Sequence, residues 1–173
     1  MMRWVNAVLD VIFDPDSTPL HDLLQQPDFG TSPLGPAPQV STSKIPHDLL
    51  VRLKTLERDA ITLAESNNLP AALTKLTEAI GLEPSYASAY NNRAQVHRLQ
   101  NNTSSALSDL TKAIELSTTS NDTNILKQAY TQRAILKQQM NDPSGAEADF
   151  ARGAKCGNEV AKNAVRNNPY AKL

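Results

Sequence analysis

The sequence predicts an all-α protein, a solenoid of stacked helix pairs. Three observations carry this. The set Ala72, Leu76, Ala79 recurs 34 residues on as Ala106, Leu110, Ala113, and a further 40 residues on as Ala146, Phe150, Gly153. A period in this range marks repeated supersecondary units rather than one closed globule. Between these sets, apolar residues fall three and four apart, the period of an amphipathic helix. Polar pairs such as Asn67-Asn68 and Asn101-Asn102 cut the runs at intervals, and no stretch reads as a strand.

Taken in order, Arg3 to Phe13 reads as a short helix with Trp4, Val8, Val11 and Ile12 on one apolar stripe, ended by Asp14-Pro15-Asp16. Residues 1–26 are assigned to this N-terminal helical segment, and residues 27–46, rich in Pro, Gly and Ser, to an extended linker. The repeats occupy 47–173. Leu49, Leu53, Leu56, Ala60, Leu63 and Ala64 make the first helix, which Asn67-Asn68 breaks. Pro70 suits the first turn of the next helix, Ala71 to Leu82, since an early helical position needs no N–H partner. Glu83-Pro84 closes it.

Tyr86 to Gln100 is the third helix and Ser104 to Leu116 the fourth, with Ser104 and Ser105 as candidate caps. Ser117 to Asn124 is read as a polar insert that lengthens the second step to 40 residues. Ile125 to Met140 and Ala146 to Lys155 follow, with Gly157 as a stop. Asn158 to Asn167 is a short capping helix. The three units cover about 53–86, 87–120 and 127–160.

Composition narrows the function. Of 173 residues, 40% are hydrophobic but only 5% aromatic, so the core must be Leu, Ile and Ala. A net charge of −1 without a long Lys or Arg run argues against nucleic acid as a partner. No run is long enough to span a bilayer, and Asp10 interrupts the apolar start, which lacks a signal-type cleavage site. The single Cys156 forms no internal disulfide and fits a cytoplasmic location. The sequons at Asn101 and Asn121 read as chance matches. His21, His47 and His97 belong to no nucleophile or metal motif. Asp109 and Asp149 repeat one place of the unit and read as solvated or helix-pairing carboxylates. The expectation is a protein without catalytic residues, metal or cofactor.

The unit resembles the tetratricopeptide repeat. The pattern places hold Leu56, Ala60, Leu63, Ala72, Leu76, Ala79 and Pro84 in the first unit. They hold Tyr90, Ala94, His97, Ala106, Leu110 and Ala113 in the second, and Tyr130, Ala134, Lys137, Ala146, Phe150 and Gly153 in the third. Small residues sit where the helices of a unit cross, and large ones between units. Arg93 and Arg133 depart from the usual Leu, and the closing Pro survives only in the first unit. A closer resemblance, carried by residues 7–16, Leu56-Glu57, Ala87 to Gln95 and Asn168-Pro169-Tyr170-Ala171, is to the tetratricopeptide repeat protein 36 family. It implies a small cytoplasmic adaptor linked to Hsp70-type chaperones and, in vertebrates, to tyrosine metabolism.

In such a solenoid the first helices of the units line a groove. The residues placed there are Lys54, Arg58, Asn91, Asn92, Gln95, Arg98, Gln128 and Gln132. Amide side chains both donate and accept, which suits the backbone of an extended peptide. The carboxylate clamp that the resemblance would imply is poorly matched. Asn92 fits, but its other places hold Glu57, Ile61, Gln128 and Gln132, and Glu57 would repel a carboxylate. The reading is therefore a peptide- or protein-binding adaptor, monomeric or weakly dimeric. The alternative is a self-assembling protein that uses the Trp4 helix, or a regulator that stabilises a metabolic enzyme.

Overall fold

The computed structural model describes residues 45–167. The N-terminal stripe of Trp4, Val8, Val11 and Ile12, nearly all of the linker, and the Asn168-Pro169-Tyr170-Ala171 run lie outside them. Seven helices follow in order: α1 (His47–Glu65), α2 (Leu69–Leu82), α3 (Ala87–Leu99), α4 (Thr103–Ser120), α5 (Thr123–Gln139), α6 (Pro143–Lys155) and α7 (Glu159–Arg166). No strand occurs among the described residues. Each helix packs on its sequence neighbours, and α3 also touches α5 and α1.

One two-residue device makes most of the turns. Asn67, Asn101, Asn121, Asn141 and Gly157 take left-handed backbone, with φ of 62°, 59°, 57°, 59° and 93°. Asn and Gly are the residues that tolerate it best. The next residue then serves two helices. The N–H groups of Asn68, Asn102, Asp122, Asp142 and Asn158 donate back to Leu63, His97, Ser117, Lys137 and Gly153, closing the preceding helix. Their side-chain oxygens accept from Ala71, Ser105, Ile125, Gly145 and Ala161, opening the next. The cap of α4 is thus Asn102, not Ser104 or Ser105. The connection from α2 to α3 differs: there the Glu83 carboxylate accepts from the Ser85 N–H and hydroxyl at 3.0 and 2.6 Å.

The expected polar insert at 117–124 is mostly helix. Relative to the first-to-second step, α4 runs one turn longer and α5 starts one turn earlier, while the loop between them shrinks from four residues to two. That accounts for the step of 40 rather than 34.

The core is four overlapping clusters. Leu53, Leu56, Ala79 and Ala89 form one, and Ala60, Ala64, Ala72, Leu76 and Val96 a second. Ala94, Ala106, Leu110, Ala113, Ile114, Leu126, Ala129 and Leu136 form the largest, and Ala134, Ala146, Phe150 and Ala161 the last. Ala89 and Val96 of α3 complete clusters of α1 and α2, so units share side chains. The crossing alanines are buried, and at this spacing an added side chain overpacks. Gly153 stands where the other units have Ala, because a Cβ there would lie 2.7 Å from Thr131 Oγ1.

Ion pairs stitch the helices where the sequence departs from the repeat pattern. Arg93 donates Nε and Nη2 to the two oxygens of Asp109, each at 2.8 Å, and Nη1 to Thr77 at 3.4 Å. Arg133 repeats this with Asp149 at 2.8 and 2.9 Å, and with Thr111 at 3.2 Å. Each guanidinium therefore links its own helix to the second helices of its unit and of the unit before. Asp109 and Asp149 are buried pairing residues, not solvated ones. In the first unit the corresponding places hold Asp59 and Lys75, with the signs exchanged.

Candidate partner-binding face

Helices α1, α3 and α5 carry the eight residues expected on the groove. Lys54 and Arg58 are exposed, and Asn92, Arg98 and Gln128 are half-buried. Asn91, Gln95 and Gln132 are buried. In place of an open row of amides, the close packing of α3 on α5 draws three of them into a ladder. Gln132 Nε2 donates to Asn91 Oδ1 at 3.3 Å, and Asn91 Nδ2 to Gln128 Oε1 at 3.1 Å. Asn91 and Gln132 thereby fix the place of Gln128 rather than offering themselves to solvent.

Gln95 is different. It is 3% exposed, yet among the described residues neither its amide nitrogen nor its amide oxygen has a hydrogen-bond partner. A buried amide left unpaired costs about 1–3 kcal/mol. Arg98 lies one turn further along α3, and burial pulls its guanidinium below its usual range.

The α1 side holds a carboxylate, Glu57, that spacing places on the groove and that is an unfavourable clamp residue. Glu57 is buried. It accepts from the Tyr86 hydroxyl at 2.5 Å and from Asn92 Nδ2 at 2.9 Å. Burial pushes its carboxyl above the usual range, against the lowering pull of hydrogen bonds from Ser88, Tyr86 and Asn92 and of the Lys54 charge. Burial and the same carboxylate push the Tyr86 hydroxyl far up. Asn92, the one residue matching a clamp, is thus already engaged with an internal carboxylate. The signal for Glu57 was its place beside Leu56 on the apolar seam. Tyr86 lies 29 residues away and in a turn, so spacing alone gave no warning of it.

The face offers amide and guanidinium donors and amide acceptors. Among the described residues, no group of three or more His, Cys, Asp or Glu is placed to hold a metal. No described helix is long and apolar enough to cross a membrane. Cys156 is a free, half-buried thiol at the end of α6.

Comparison with known proteins sets this geometry in context. No family model matches the chain. It is 38% identical to tetratricopeptide repeat protein 36 of Danio rerio, over 96% of this chain and 85% of the relative. The Homo sapiens protein of that name is 38% identical over 96% and 86% of the two chains. The Drosophila melanogaster homolog is 34% identical over 96% and 85%. Among solved structures, the N-terminal domain of stress-induced protein-1 from C. elegans superposes with a TM-score of 0.62 at 20% identity, covering 70% of this chain and 97% of that one. The first TPR of Spaghetti (RPAP3), bound to an HSP90 peptide, gives 0.59 at 19% identity, covering 70% and 94%.

Proposed function

The chain belongs to the tetratricopeptide repeat protein 36 family, and on that premise we propose that it is a non-enzymatic adaptor whose α1–α3–α5 groove holds an extended segment of a protein partner. The observation that carries this is Gln95. Among the described residues its buried amide lacks both a donor and an acceptor partner, and a peptide backbone supplies one of each. On the same three helices, half-buried Arg98 and Gln128 and exposed Lys54 and Arg58 carry further donors.

The finer reading is co-chaperone work with an Hsp70-type protein in the cytoplasm. The family resemblance supports it, as does the likeness to a domain solved with an HSP90 peptide. Glu57 shapes that reading. A buried carboxylate that already occupies Asn92 disfavours a partner's terminal carboxylates, so the contact is with an internal segment.

The test uses Gln95→Met in the full chain, with purified Hsp70 and its C-terminal tail peptide as probes. We expect native protein to bind Hsp70, and an excess of the tail peptide not to displace it from the groove. Gln95→Met is expected to weaken binding about tenfold, a change of about 1.4 kcal/mol, without lowering the melting temperature. Undiminished binding by Gln95→Met removes the groove from the account. Absence of any Hsp70 binding removes the chaperone reading but not the adaptor one.

A further inference from the structure

The third unit carries positive charge that the described residues do not neutralise. Asp149 is fully buried and accepts from Arg133 Nε and Nη2 at 2.8 and 2.9 Å, from Lys137 Nζ at 2.7 Å and from Arg152 Nη1 at 3.1 Å. A carboxylate has about four lone-pair sites, so all are used. One negative charge faces three positive ones. The Arg133 and Arg152 guanidiniums also both lie over the Tyr130 ring, at 5.7 and 5.8 Å from its centre. Arg152 is 54% exposed and makes no other hydrogen bond among the described residues.

The second unit provides an internal comparison. Where the third has Lys137, Arg152 and Lys155, the second has His97, Lys112 and Glu115. Burial holds the His97 imidazole below its usual range, so it is neutral at pH 7. Lys112 is paired with Glu115 at 3.3 Å. Asp109 there faces one permanent cation. Across whole segments the asymmetry persists: residues 123–167 hold seven Lys and Arg against four Asp and Glu, whereas residues 45–122 hold seven against nine.

We propose that the Tyr130–Arg133–Lys137–Arg152 cluster is a second recognition site, taking a short acidic peptide segment of a partner protein. It is separate from the groove, because Arg133 reaches away from the α1–α3–α5 row to Thr111 on α4 and Asp149 on α6. An incoming carboxylate finds the unused nitrogens of Arg152, whose planar fork suits it. Asp149 holds the cluster in place, and hydrogen bonds from Arg133 and Lys137 keep its carboxyl ionised despite burial. A long polyanion such as RNA fits less well. It would run onto the net-acidic earlier units, and the Tyr130 ring is already occupied by guanidiniums and so is not free for base stacking.

The experiment is fluorescence anisotropy of labelled hexaglutamate with the full chain, at low and at physiological salt. Saturable binding that weakens with salt is expected. Arg152→Gln, which keeps a donor for Asp149, should weaken it about fivefold or more, a loss near 1 kcal/mol. Lys112→Gln, the corresponding change in the second unit, should leave it unchanged. The Arg152 Nε–H resonance should move on titration, a readout independent of stability. Absent binding, an equal loss in Lys112→Gln, or a silent Arg152 resonance overturns the proposal. Equal affinity for a uridine hexanucleotide overturns the peptide assignment. Gln95→Met should bind hexaglutamate normally, so this site and the groove fail separately.

Discussion

Two buried carboxylates set the behaviour of single residues, and they act in opposite directions. Asp149 is held by three cations, so its removal leaves charges uncompensated in a buried place. Asp149→Ala should cost about 3–5 kcal/mol, read as a lowered urea midpoint at pH 7. Asp109→Ala should cost less, because only Arg93 is a permanent cation there; the reverse order would contradict this account. Hydrogen bonds depress the Asp149 pKa below its usual 3.8 despite burial. Its stabilisation is therefore present above that value and lost as pH falls through the lowered one. Glu57 is raised above its usual 4.5. Its contribution is full below 4.5 and is lost as pH rises through the folded value. Glu57→Gln should thus raise the denaturation midpoint at pH 7 to 8 and change it little near pH 4. A midpoint lowered equally at all pH values would mean that Glu57 acts only through its hydrogen bonds.

At the scale of elements, the turns make the helices discrete. Asn141→Ala should cost about 1 kcal/mol through its left-handed backbone, whereas Asn141→Gly should be neutral or stabilising. Asp142→Ala should cost about 1 kcal/mol through the lost cap of α6. Thermal melts of the three variants check the order. These turns were legible in the sequence, because Asn pairs are punctuation with a mechanism. The segment 117–124 was not. Ser and Thr compete with the backbone for hydrogen bonds and so read as loop. In α4, however, the hydroxyls of Thr118, Thr119 and Ser120 donate to the carbonyls of Ile114, Glu115 and Leu116 one turn back. The polar residues are accommodated by the helix rather than breaking it.

For the repeat body as a whole, the periodic pattern set the order of helices, because every unit buries small residues where its own two helices cross and larger ones against the next unit. The face was less legible. Spacing placed Asn91, Gln95 and Gln132 on α3 and α5, but a linear pattern holds no information on how closely α3 approaches α5, and that approach decides burial. The exchanged signs at Asp59 and Lys75 have a further consequence for chain assembly. Three units this alike could trade partners during folding. If α1 took the place of α3 beside α4, Asp59 would meet Asp109; if α3 took the place of α1 beside α2, Arg93 would meet Lys75. Wrong pairings bring like charges together, so the first unit carries an address that its neighbours cannot read. Asp59→Arg combined with Lys75→Asp erases that address. Its refolding yield after dilution from urea should fall while the melting temperature of correctly folded protein changes little. An undiminished yield would show that order of synthesis and loop length alone keep the units from being confused.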